Sequence, residues 1–320
     1  MDVESRIPIP TTMTTTMTTT KKSSKNNNDY YYQRLEANVL ELVKEFYQRN
    51  TQIKASHGLE HVMRVYYHTN KALECCCLLS TSSSTSPSLT RKEVMEIRCA
   101  ALLHDVDDSK YFPNHDQHGN TYPNARSILQ TAGIVVVQRS DDDDDDENDD
   151  ENEDNDSNII LDMIAWTSTS HNGNSIPLAI QTTGNYHFLI PRWADRLEAV
   201  GAIGVIRCYQ YNYEHNLPLS SNTSPRAKSI QHLWQLATPQ RFQNYLDSNG
   251  HSDDMISHYY DKLLHVACPP KDSVRNIYLE QEGETSAKEL IEVCLRFGKT
   301  GVVDEAYIRE LAQGLGMTLG

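Results

Sequence analysis

The chain holds 320 residues with a formal net charge of -15, 23% charged and 38% hydrophobic positions. Thirteen Asp and Glu and no basic residue crowd into positions 141–158, so the rest of the chain carries a charge of only -2 and no domain-wide basic face suited to nucleic acid. No apolar run reaches eighteen residues, and the seven cysteines include no CxxC pair, which predicts no membrane helix and reduced thiols in a cytoplasmic or nuclear protein rather than a disulfide framework.

In chain order, a Thr-, Ser- and Asn-rich tail (1–32) offers almost nothing to bury and is expected to be disordered. Leu35, Val39, Leu42, Val43 and Phe46 then recur at three-to-four spacing, which predicts an amphipathic helix over 33–49. A second helix over 59–79 directs Val62, Val65, Tyr66, Thr69, Ala72 and Leu73 inward. A Ser/Thr loop follows, and a third helix from Arg91 runs through Val94, Ile97, Ala100, Ala101 and Leu103 to the pair His104-Asp105. Positions 124–131 read as a helix with Gly133 as its C-cap. An acidic insertion (139–158) comes next, and Ser157 is placed to cap a helix over 159–166. One long helix over 186–213 carries Asp195. Further helices are expected at 239–246, 253–266, 286–297 and 304–315. No alternating strand competes, so the fold class is all-α. The tail and insertion leave one domain over 33–300 with a C-terminal helix in 301–320 packed on it.

Chemistry concentrates at four residues. His61, His104, Asp105 and Asp195 offer the mixture of imidazole nitrogen and carboxylate oxygen that a hard or borderline divalent cation prefers. That donor set reads as a metal-dependent hydrolase and leaves manganese, magnesium, nickel, iron and zinc all open, with one ion expected and room for a second. His57 lies four residues before His61, on the same helix face if the helix extends back to Ser56. His104 and Asp105 are adjacent, and neighbouring side chains on a helix diverge by about 100°, so both reach one ion only if the helix end opens toward it. Asp195 needs a positive partner, which is either a metal or Arg196.

The segments HGLEHVMRV (57–65), ALLHDVDDSKYF (101–112) and ADRLEAVGAIGVIR (194–207), in that order, resemble the HD superfamily of metal-dependent phosphohydrolases. The likeness is to its compact single-domain branch and extends to SHYYDKLLHV (257–266). It implies that His61, His104, Asp105 and Asp195 are the metal ligands and that the substrate is a small phosphorylated molecule, with nucleotides favoured. It also implies that Asp108 orients the attacking water, as an acidic residue does at that place in the related guanosine-tetraphosphate hydrolases. Lys110, Arg64 and His57 are then candidates for binding substrate phosphate. His171 is open between substrate contact, metal ligation and an exposed loop position; His115 and His118 read as loop residues. Arg196 is expected to hold Asp195 or Glu198. Two rival readings stay on the table. One is a di-iron oxygenase, which requires His57 or His171 to join the ligands; the other is a metal-binding regulatory protein without turnover.

Overall fold

The computed structural model describes residues 25–79, 89–113, 122–136 and 159–319. Most of the tail, the acidic insertion, Ser157, His115 and His118 lie outside the described residues. Among those described, every regular element is helical and no strand occurs.

Helix α1 spans Lys25–Arg49 and starts eight residues before the expected position, so the last part of the tail segment 1–32 belongs to the first helix. Helix α2 spans Leu59–Leu79 and α3 spans Arg91–Leu103. The start of α3 is fixed by a capping box: Thr90 Oγ1 accepts from the Glu93 amide at 3.1 Å, and the Glu93 carboxylate accepts from the Thr90 amide at 2.6 Å. Val62, Val65, Thr69 and Ala72 of α2 are wholly buried, as the spacing predicts, and Tyr66 is half-buried with its hydroxyl on Glu36.

Helix α4 (Pro123–Ala132) ends on Gly133, whose φ of 91° places it in the left-handed region that suits glycine at a helix end. Helices α5 (Ile159–Thr167), α6 (Thr169–Asn172) and α7 (Leu178–Thr183) lead into α8 (Ile190–Leu197). Helix α3 is the centre of this first half. Its residues Cys99 through Leu103 have no exposed surface, and α1, α2, α5 and α8 all pack on it. Burying such a run of Ala and Leu side chains contributes about 1.5–3 kcal/mol for each leucine.

The single helix expected over 186–213 is broken in the structure. A 3₁₀ turn (Tyr186–Leu189) precedes α8, and the chain then bends at Glu198–Val200 before α9 (Gly201–Glu214). The bend has a local cause. Gly201 has φ 65° and donates its amide to the Ser286 carbonyl at 2.8 Å, while the Ala199 backbone passes so close to Gly204 that a Cβ there would stand 2.3 Å from it.

The second half comprises α9, α10 (Ile230–Leu236), α11 (Pro239–Asp247) and α12 (Met255–His258), followed by a π-helical stretch Tyr259–Leu263 and α13 (Leu264–Ala267). After α14 (Ile277–Glu284), α15 (Lys288–Thr300) and α16 (Glu305–Gly314) complete it. The helix expected over 253–266 therefore exists with a π-bulge in its middle, a feature that re-aims side chains and is frequent at functional sites. A separate apolar core, built on Val205, Tyr259, Leu264, Leu290 and Phe297, holds these helices together, and α16 packs on α9. The candidate site lies at the seam between the two cores.

Candidate metal centre

All four expected ligands come from the first half. His61 projects from the first turns of α2, which packs against α3 and α8. Helix α3 ends at Leu103, with His104 as its C-cap and Asp105 already in the following turn. That opening turns two adjacent side chains toward one point, the condition on which their joint use depends. Asp195 reaches the same point from α8.

The ligating atoms converge. His61 Nε2 and His104 Nε2 are 3.1 Å apart. Asp105 Oδ2 stands 3.5 Å from each of them. Asp195 Oδ1 is 3.3 Å from His61 Nε2 and 3.6 Å from His104 Nε2. An ion with ligands at about 2.1 Å sets neighbouring ligand atoms about 3.0–3.4 Å apart, close to the spacing found. His61, His104 and Asp105 form a set whose ligand atoms all lie within 4.8 Å of one another; Asp195 joins through its contacts to the two imidazoles. The chain therefore holds a His-His-Asp group able to bind a metal ion.

The tautomers and charges suit that use. His104 Nδ1 donates to the Ala101 carbonyl at 2.9 Å, which leaves the Nε2 lone pair facing the centre. Burial and nearby Arg207 work to lower the His61 pKa, but the neighbouring carboxylates of Asp105, Asp195 and Glu198 push it up to about 9. Burial alone would raise the Asp105 and Asp195 carboxyls, yet the two imidazoles hold both below the usual carboxylate range. The geometry thus demands positive charge at its middle. Behind His61, buried Glu198 lies 3.8 Å from Nδ1, the ring nitrogen that has no hydrogen bond of its own.

Above these groups the structure has two adjoining cavities. One, of about 400 Å³, has the four candidate ligands, Asp108, Tyr122 and the Thr167–His171 segment in its walls. The other, of about 370 Å³, is lined by Cys208, Tyr211, Asn212, Leu217 and His258 among others. His57, Lys110, Arg207 and Lys262 border both, so a collar of basic groups marks the passage between them. One lip is formed where the turn at Asn249 and Gly250 meets Ser170. Gly250 has φ 81°, and a Cβ on it would lie 2.9 Å from Ser170 Cβ.

The other sequence candidates divide. Asp108 borders the metal cavity; its Oδ1 accepts from the Lys110 amide at 2.9 Å and its Oδ2 stands 3.5 Å from Lys110 Nζ. His171 also lines that cavity. His57 has both ring nitrogens engaged, Nε2 with Lys110 Nζ at 3.0 Å and Nδ1 with Ser56 Oγ at 3.1 Å. Arg64 is placed elsewhere. Its guanidinium is ion-paired with Glu198 at 2.5 Å and Glu60 at 2.6 Å, and it is not among the residues that line the two cavities. Arg196 holds neither Asp195 nor Glu198. It donates to the Asn174 side chain at 2.7 Å and to the Gly173 carbonyl, while Arg192 donates to Gly173 and Ser175 carbonyls at 2.6 and 2.7 Å. Both guanidinium groups lie over the Trp193 ring, and together they anchor the loop that follows His171.

The sequence reading did not single out Arg207 and Lys262. Arg207 donates to the Ser56 and Glu198 carbonyls, each at 2.8 Å, and Lys262 leaves the π-helical stretch over the Tyr245 ring. Both lie inside the segments ADRLEAVGAIGVIR and SHYYDKLLHV, so the signal was present, but only the tertiary fold brings them beside Lys110.

Among known proteins, "Uncharacterized protein L803" of Acanthamoeba polyphaga mimivirus is 31% identical over 261 residues, spanning 81% of this chain and 95% of the viral one. The chain belongs to the family of that viral protein. No family model matches. A crystal structure from Lactobacillus plantarum aligns with 83% of this chain and 94% of its own at 16% identity and a TM-score of 0.47. One from Listeria innocua aligns with 89% and 98% at 16% identity and a TM-score of 0.37.

Proposed function

We propose that the protein is a metal-dependent phosphohydrolase of the HD type, acting on a phosphate ester or anhydride of a small molecule, with nucleotides the favoured class. The observation that carries this reading is the meeting of His61, His104, Asp105 and Asp195 at the floor of a cavity whose rim is cationic. When bound, a divalent cation supplies Lewis acidity to a phosphoryl oxygen and acidifies water. The protein groups then have distinct tasks. Asp105 and Asp195 hold positive charge at the floor, and Asp108, on the cavity wall, orients the attacking water. Lys110, Arg207 and Lys262 face the remaining phosphoryl charge and stabilise it as the bond to the leaving oxygen breaks. The adjoining cavity, with Tyr211 and Tyr245 in its walls, has the size and partly apolar character to seat the organic body of such a substrate.

Screening the full chain against nucleotides and simple phosphate esters with manganese, magnesium, nickel, iron and zinc tests the reading. Metal-dependent release of phosphate or pyrophosphate from at least one compound is the expected result. Two irons per chain with oxygen uptake, or no turnover under any condition, overturns it.

A further inference from the structure

Lys110 is held at the passage between the cavities by a chain of hydrogen bonds that leads away from the metal centre. Its Nζ is 3.0 Å from His57 Nε2, His57 Nδ1 is 3.1 Å from Ser56 Oγ, and the Ser56 hydroxyl donates to Glu214 Oε2 at 2.8 Å. An ammonium can only donate, so His57 Nε2 must accept and the ring proton must sit on Nδ1. That proton then points at Ser56 Oγ, whose own hydrogen is committed to Glu214. Every donor in the sequence Lys110, His57, Ser56, Glu214 points the same way, from a cation toward an anion, an arrangement in which each bond strengthens the next.

The rest of the neighbourhood enforces the alignment. The His57 ring lies edge-on between Tyr111 and Tyr211, at centroid distances of 5.9 and 5.6 Å, which fixes its plane. Ser56 is buried, and its carbonyl accepts from Arg207. One residue therefore organises two cations of the collar, Arg207 through its backbone and Lys110 through its hydroxyl. Burial and the charge of Lys110 keep the His57 pKa well below its ordinary value, consistent with a neutral ring. Glu214 is the last residue of α9 and does not line the metal cavity, and no motif pointed to it.

We propose that Ser56 and Glu214 are positioning residues that fix His57 as the Nδ1–H tautomer and thereby hold the Lys110 ammonium where it receives a phosphate group of the ligand. Without the Glu214 carboxylate the Ser56 hydroxyl is free to turn and donate to Nδ1, which puts the ring proton on Nε2 against Lys110. The inference rests on the proposed function only in taking phosphate as the ligand.

The test uses the full chain with 15N-labelled histidine, loaded with magnesium, and inorganic phosphate as the probe. His57 is assigned by the resonance lost in His57→Gln. Wild-type protein is expected to show the Nδ1–H tautomer. Ser56→Ala and Glu214→Ala shift it toward Nε2–H and weaken phosphate binding about tenfold by calorimetry. Ser56→Thr, which keeps the hydroxyl, retains both. An Nε2–H ring in the wild type overturns the proposal, as does a Ser56→Ala chain with unchanged tautomer and unchanged phosphate affinity. A wild type that shows the expected tautomer and phosphate binding yet hydrolyses no ester supports this inference while removing the proposed reaction.

Discussion

The floor of the metal cavity hangs from α2, α3 and α8 of the first core, whereas the neighbouring cavity is closed by α9, α11 and the π-bulged stretch of the second. On the first side, ligands rise from helices whose inner faces are mainly apolar, so close packing contributes most to their positions. On the second, basic groups are placed by hydrogen bonds to carbonyls and carboxylates contributed from distant stretches, as Arg207 is by Ser56. The difference teaches that capacity for an ion and recognition of an anion are built separately and meet only at the collar of His57, Lys110, Arg207 and Lys262.

That separation can be attacked at each level. Asp105→Ala removes a donor from the floor and is expected to lower metal-dependent turnover by roughly a thousandfold or more with an unchanged helical circular-dichroism spectrum. Comparable turnover in that variant breaks the division of labour at its strongest point. Arg207→Gln takes a charge from the collar and leaves the floor intact, so KM rises about 10- to 100-fold in steady-state kinetics while bound metal per chain stays the same. Loss of metal in that variant erases the distinction.

Stability variants probe the seam itself. Gly204→Ala drives a Cβ into the Ala199 backbone at the bend between α8 and α9, and is expected to cost about 1–3 kcal/mol in chemical denaturation. Thr90→Ala removes the cap of α3, remote from both cavities, and costs about 1 kcal/mol with turnover unaltered. A cap variant that changes KM contradicts the view that packing of the first core alone sets the floor.

How much of this was legible in the sequence follows the same division. The apolar stripes of α2 and α3 carried the His61 position and the approach to His104-Asp105, because a 3.6-residue period on a buried helix fixes which side chains face the core, while the joint use of that pair rests on the opening of the α3 end. The α8–α9 bend was missed although Pro191, Gly201 and Gly204 stand between 186 and 213 as breaker signals; which of them breaks the helix depends on how closely Ala199 passes Gly204 and on the distant Ser286 carbonyl. Arg64 and Arg196 illustrate a second limit. Arg64 stands at helical spacing from His61 and Arg196 directly beside Asp195, but Arg64 is drawn to Glu198 and Glu60, and Arg196 to the Gly173 carbonyl and the Asn174 side chain with Arg192 beside it. An arginine takes whichever buried acceptors the tertiary fold leaves open, and spacing along one helix does not reveal them.

Counting bound manganese per chain in the wild type and in His61→Ala, His104→Ala and Asp195→Ala tests the central claim most directly. One ion per wild-type chain, lost or bound at least tenfold more weakly in every variant, is the predicted result. Manganese binding that is the same in all four proteins contradicts it.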